Sequence, residues 1–92
     1  MTIDDATFAA TVAIVQEIAG VSRMPEEIGP GTRLGDGFWL DSVELLEVVV
    51  ACEQAFGIAF EDTKELESGA LDTLGTLVTL ILAKQAALPR NP

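Results

Sequence analysis

Ninety-two residues, 49% of them hydrophobic and 22% charged, suffice for one modest core and are too apolar for a disordered chain. The absence of histidine excludes imidazole bases, Cys-His and Ser-His nucleophile pairs and imidazole metal sites, and a lone cysteine excludes an intramolecular disulfide or a thiolate metal cluster. Fifteen acids against five bases, a net charge of −10, disfavour nucleic acid and anionic membranes as partners, because Lys and Arg supply most of that affinity.

In chain order, Phe8, Val12, Val15 and Ile18 or Ala19 recur at helical spacing. With Asp4, Asp5 and Thr7 at the N-terminal end, they predict an amphipathic helix that stops near Gly20. From Val21 to Leu40, Pro25, Pro30, Gly29, Gly31, Gly35 and Gly37 break any regular period and predict a loop of about twenty residues. Loops of that length stay ordered when they are packed, and Ile28, Leu34, Phe38 and Leu40 are suited to tack this one onto the core. Trp39 reads as a further anchor of the loop, or else as a side chain placed beside whatever the next helix carries.

Asp41-Ser42 then opens a run that closes at Gly57. Val48-Val49-Val50 is β-branched, yet some fifteen residues between an Asp-Ser cap and a glycine stop have the length of a helix. Apolar positions cover most of its circumference and are expected to face inward, leaving Glu44, Glu47 and Gln54 as a thin polar stripe. Cys52, among Val and Ala with no cation nearby in sequence, is expected to be a buried, inert thiol. Glu61 to Glu67 predicts a short helix that ends before Gly69. A last helix begins at Asp72 or Thr73, sets Leu74, Leu77 or Val78, and Ile81 on one face, and fades through Lys84-Gln85-Ala86. Residues 1–87 therefore form one domain and 88–92 a frayed tail. The fold class is all-α, with three main helices and one short helix in a small antiparallel bundle after a long first loop.

The charge is concentrated. Asp36 to Asp72 carries ten acids against Lys64 alone, while the rest of the chain is nearly neutral. Such a field steers partners rich in Lys and Arg. The opening residues are acidic with no apolar stretch after them, and no run approaches the ~18 apolar residues of a membrane span, so a cytoplasmic monomer is expected. No EF-hand calcium loop is present.

Ser42 is the candidate for chemistry. It opens an apolar helix at the end where free amides and the macrodipole favour a negative group. Its residues do not make a serine hydrolase, because no histidine takes the hydroxyl proton and no Gly-x-Ser-x-Gly elbow surrounds it. From the dipeptide alone, Ser42 or Asp41 is equally a helix cap.

The runs Gly29-Pro30-Gly31-Thr32-Arg33-Leu34, Leu40-Asp41-Ser42-Val43-Glu44-Leu45-Leu46-Glu47, Glu53-Gln54-Ala55-Phe56-Gly57-Ile58 and Asp72-Thr73-Leu74-Gly75-Thr76-Leu77-Val78 together resemble the acyl carrier protein family along nearly the whole chain. The resemblance implies a four-helix bundle whose Ser42 receives 4′-phosphopantetheine from a phosphopantetheinyl transferase using coenzyme A and magnesium. Acyl groups then ride as thioesters on the arm, and bond-making belongs to visiting enzymes. It also implies recognition of Asp41 by the transferase. Docking of acyl-loading, condensing and modifying enzymes with basic surfaces is expected at Glu44, Glu47 and Glu53. Val43, Leu46, Val50 and Phe56 are expected to line a pocket that opens for the acyl chain, or to be plain core. Two positions depart from the family pattern: Trp39 stands where Gly is usual and Val43 where Leu is usual. These departures point to a dedicated pathway, such as polyketide or related specialised metabolism, more than to housekeeping fatty acid synthesis. The alternative reading is an acidic helical adaptor that binds a basic protein and carries no prosthetic group.

Overall fold

The computed structural model of the chain describes residues 5–20, 25–60, 69 and 71–87. Four helices lie among them: α1 (Asp5–Ala19), α2 (Leu34–Phe38), α3 (Ser42–Phe56) and α4 (Leu74–Ala87). No strand occurs among the described residues, and α1 packs against both α3 and α4. The all-α bundle expected from the sequence is the observed architecture. The short helix expected at Glu61 to Glu67, like the tail at 88–92, lies outside the described residues.

The buried face of α1 is offset from the expected one. Thr7, Thr11, Val15 and Ala19 are its buried positions, one every fourth residue, while Phe8, Val12, Ile14 and Ile18 are partly buried against the core. A threonine tolerates full burial there because the Thr11 hydroxyl donates to the Thr7 carbonyl at 2.8 Å, so no polar atom is stranded. On α4, Leu74, Leu77, Val78 and Ile81 are all fully buried, as their spacing predicts. Leu34, Phe38, Val48 and Cys52 complete the centre of the core.

The described part of the crossover, residues 25–40, is held by contact with α4 and the residues that lead into it. Leu34 N–H donates to the Asp72 carbonyl at 3.1 Å, Leu74 N–H to Thr32 at 2.9 Å, and Gly75 N–H to Pro30 at 2.7 Å. Arg33 and Thr73 form an isolated antiparallel bridge at the centre of this zip. The Arg33 guanidinium also meets Asp36 at 3.3 Å and Asp72 at 3.2 Å, but these pairs are more than half exposed and contribute little beyond register. Gly75 is required by proximity, because a Cβ there would stand 2.8 Å from the Pro30 oxygen. The zip delivers Leu34 and Phe38 into the core, where both are fully buried.

Within the crossover the residues from Leu34 to Phe38 wind into α2, where Gly35 and Gly37 predict loop. Gly35 and Gly37 are weak helix formers, and five residues do not sustain a helix alone. Burial of Leu34 and Phe38, four apart and therefore on one face, holds the turn together. Trp39 closes it in the left-handed conformation at φ 56°, donating its N–H to the Leu34 carbonyl. The indole does not anchor the core: Trp39 is 68% exposed, which corrects the anchor reading.

Candidate functional site

α3 begins with a reciprocal capping box. The Asp41 carboxylate accepts from the Glu44 amide at 2.8 Å, and the Glu44 carboxylate accepts from the Asp41 amide at 3.2 Å. Asp41 is therefore the cap, and Ser42 is relieved of that duty. Ser42 is exposed at the first position of the helix, and its hydroxyl makes no hydrogen bond among the described residues. The amides of Ser42 and Val43 belong to the first turn, where no intrahelical acceptor exists and the macrodipole is positive. An exposed, uncommitted hydroxyl at the positive end of a fifteen-residue helix suits covalent attachment of a phosphate-bearing group. The far end of α3 is fixed equally firmly: Gly57, at φ 65°, donates to the Glu53 carbonyl, and Ile58 N–H donates to the same oxygen at 3.2 Å.

The expected docking carboxylates differ in availability. Glu47 is exposed. Glu44 is half-buried and tied into the capping box. Glu53 is half-buried, and its carboxylate accepts from the Phe60 amide at 2.9 Å, which holds the turn after α3. One carboxylate of the three is thus uncommitted to local structure, and the other two shape the helix ends.

The inward direction expected of Val43, Leu46 and Val50 is corrected. They are 63%, 57% and 49% exposed, whereas Phe56 packs against the core as expected. The reason is geometric. Apolar residues ring most of α3, but its neighbours cover only the side carrying Val48, Val49 and Cys52. Residues 43, 46 and 50, at helical spacing of three and four, are left as an apolar stripe in solvent. With Trp39 they are the large exposed hydrophobic side chains among the described residues, and all lie within eight positions of Ser42.

This stripe is one wall of an open groove of about 810 Å³. Ile14, Glu17 and Ile18 of α1 form the other wall, and Glu47 and Gln54 stand along the α3 side. Sequence reading missed the α1 wall because it placed Ile18 in the core and gave Ile14 and Glu17 no role. The available signal was Ile14 and Ile18, four apart beside the Val12–Val15 row, which makes the apolar sector of α1 wider than one neighbour fills.

A family model described as phosphopantetheine attachment site matches residues 10–81, from the middle of α1 to the buried face of α4. The chain belongs to that family. It is also similar to the meromycolate extension acyl carrier protein of Mycobacterium leprae (strain TN), at 30% identity over 73 residues, which is 79% of this chain and 59% of that relative. The chain thus spans less than two thirds of the relative's length. No solved structure gives a significant match. Membership makes 4′-phosphopantetheine, covalently held, the cofactor of this domain.

Proposed function

We propose that the chain is an acyl carrier protein, with Ser42 as the residue that bears 4′-phosphopantetheine. The observation that carries the assignment is the division of labour at the start of α3: Asp41 caps the helix, leaving the Ser42 hydroxyl exposed and uncommitted. The phosphopantetheine family match and the acyl carrier relative support the same reading. When attached, the group supplies a long arm ending in a thiol, the chemistry by which acyl cargo is held.

In the attachment step the Ser42 hydroxyl oxygen attacks the phosphorus of coenzyme A that bears the pantetheine half. One phosphodiester bond forms, the pyrophosphate bond breaks, 3′,5′-ADP leaves, and the hydroxyl proton is lost. This chain does not take that proton well, since it has no histidine and the Asp41 carboxylate is committed to the Glu44 amide. The base therefore belongs to the visiting phosphopantetheinyl transferase, together with its magnesium.

The chain's own residues present and orient. The capping box fixes the direction in which α3 leaves Asp41, and with it the place of Ser42. The first-turn amides lie where a phosphodiester on Ser42 is electrostatically favoured. Trp39, Val43, Leu46 and Val50 offer apolar contact, and Glu47 offers charge, to acyl-loading, condensing and modifying enzymes with basic surfaces. Acidic steering of this kind gives fast, weak, salt-sensitive association, suited to a carrier that changes partner at each step.

The cargo belongs to acyl chain extension in a dedicated pathway, polyketide or fatty-acid-like. The named role of the mycobacterial relative and the departures at Trp39 and Val43 support this placement. A cytoplasmic monomer is the matching setting, and no described helix is long and apolar enough to cross a membrane.

The test is intact mass after incubation with coenzyme A, magnesium and a broad-specificity transferase. The native chain is expected to gain one phosphopantetheine and the Ser42→Ala variant none. A folded native chain that gains nothing from several transferases overturns the assignment and favours the acidic adaptor.

A further inference from the structure

We propose that the groove between α1 and α3 is a docking seat for a basic amphipathic helix of a visiting enzyme, and that α1, through Ile14, Glu17 and Ile18, supplies half of it. The proposal rests on the carrier reading and names the kind of partner element the carrier receives. The groove is lined by Ile14, Ile18, Val43, Leu46, Val50 and Ala51 along its floor and walls, with Glu17, Glu47 and Gln54 as the polar members. From Val43 to Gln54 it follows α3 for about 16 Å, the length of three helical turns.

Charge selects the occupant. Glu17 and Glu47 are both exposed, one on each wall, and among the described residues no cation lines the groove. An apolar chain laid in it would strip water from two carboxylates and return no hydrogen bond. A second copy of this chain would bring the same acidic rims against each other, on two molecules each carrying −10. A helix with an apolar ridge flanked by Lys or Arg satisfies both features, its ridge covering the stripe and its flanks meeting Glu17 and Glu47. The groove begins at Val43, next to Ser42, so a helix seated there brings the rest of the visiting enzyme up to the attachment point.

The decisive comparison uses matched charge reversals on the full chain. Glu17 lies in the groove and Glu26 lies in the crossover outside it, and both are exposed. The probe is a fourteen-residue synthetic peptide with leucines at helical spacing flanked by lysines, set beside a scrambled peptide of identical composition. Binding is followed by amide chemical shifts and titrated to a Kd. The expected result is shift changes on both α1 and α3, a Kd raised about tenfold by Glu17→Lys and less than twofold by Glu26→Lys, and at least tenfold weaker binding of the scrambled peptide. Equal effects of the two reversals, equal binding of the two peptides, or shifts confined to α3 overturn the proposal. So does dimerisation of the free chain through this face, which would give the groove to a second copy. Mass analysis at Ser42 is independent of the groove. A chain that is modified at Ser42 but ignores the peptide loses the docking seat alone, and one that binds the peptide but is never modified loses the carrier reading alone.

Discussion

The amide of Gly75, in the first turn of α4, donates to the carbonyl of Pro30 in the crossover at 2.7 Å, the shortest link of the zip that orders the segment leading to Ser42. A side chain at position 75 would drive its Cβ to 2.8 Å from that oxygen and 3.1 Å from the Pro30 Cβ. Gly75→Ala is therefore expected to destabilise the fold by about 1–3 kcal/mol, the usual range for forced overpacking. Gly29→Ala, at a position with nothing within 4 Å, serves as the control and is expected to change stability little. Urea denaturation followed by circular dichroism compares them, and equal midpoints would refute the role given to the close approach.

Trp39 combines two unfavourable features, an exposed indole and a left-handed backbone at φ 56°. Trp39→Gly and Trp39→Ala both remove the indole, but only glycine relieves the backbone. The glycine variant is expected to be the more stable of the two by about 1 kcal/mol. Both are expected to raise the KM of phosphopantetheinyl transfer, since Trp39 stands three residues before Ser42, the proposed attachment point. If thermal melts show the two variants equal, backbone strain is absent at this position.

Asp41 has a capping role and an expected recognition role, and two substitutions separate them. Asp41→Ala removes the acceptor for the Glu44 amide and is expected to cost about 1 kcal/mol. Asp41→Asn keeps an oxygen at the cap and is expected to retain most of that stability while losing the charge. A KM for the transferase that rises in Asp41→Asn, with its melting curve near that of the native chain, assigns recognition to the carboxylate. An unchanged KM assigns Asp41 to capping alone.

Burial pushes the Cys52 thiol up from 9.0 to about 11. Because the neutral form is the one favoured in the fold, its contribution to stability is complete below about pH 9 and is lost as pH rises toward 11. Over that window the native chain is expected to lose on the order of 2 kcal/mol that Cys52→Ala does not. The slope of stability against pH is the readout, measured by urea midpoints at stepped pH, and parallel slopes for the two proteins would count against the shift.

Much of the fold was legible because its signals were local. Asp41 and Gly57 bracket α3 as cap and stop, and each does in the structure what its residue type predicts. The α4 row of Leu74, Leu77, Val78 and Ile81 is likewise buried as its spacing foretells. What escaped depended on neighbours. A helix apolar around most of its surface does not reveal which sector a small bundle leaves uncovered, so Val43, Leu46 and Val50 were expected inside and stand outside. α2 escaped because two glycines argue against a helix that only the burial of Leu34 and Phe38 sustains. At the site, Ser42 and Asp41 were visible as a pair, but which of them caps the helix is a matter of geometry. The α1 wall of the groove shows in the sequence only as the added apolar pair Ile14 and Ile18, and that α3 leaves this pair uncovered follows from how the two helices pack.

The burial of Cys52 bears on chemical selectivity as well as on packing. A carrier surrounded by activated acyl donors risks capturing cargo on a sulfur of its own, where no enzyme would collect it. Cys52 is wholly enclosed and, with its thiol raised to about 11, is overwhelmingly protonated at neutral pH. It is closed to electrophiles both sterically and electronically. These 92 residues thus contribute no competing nucleophilic sulfur, and within them a thiol-directed label is expected to react only with a thiol that the arm brings.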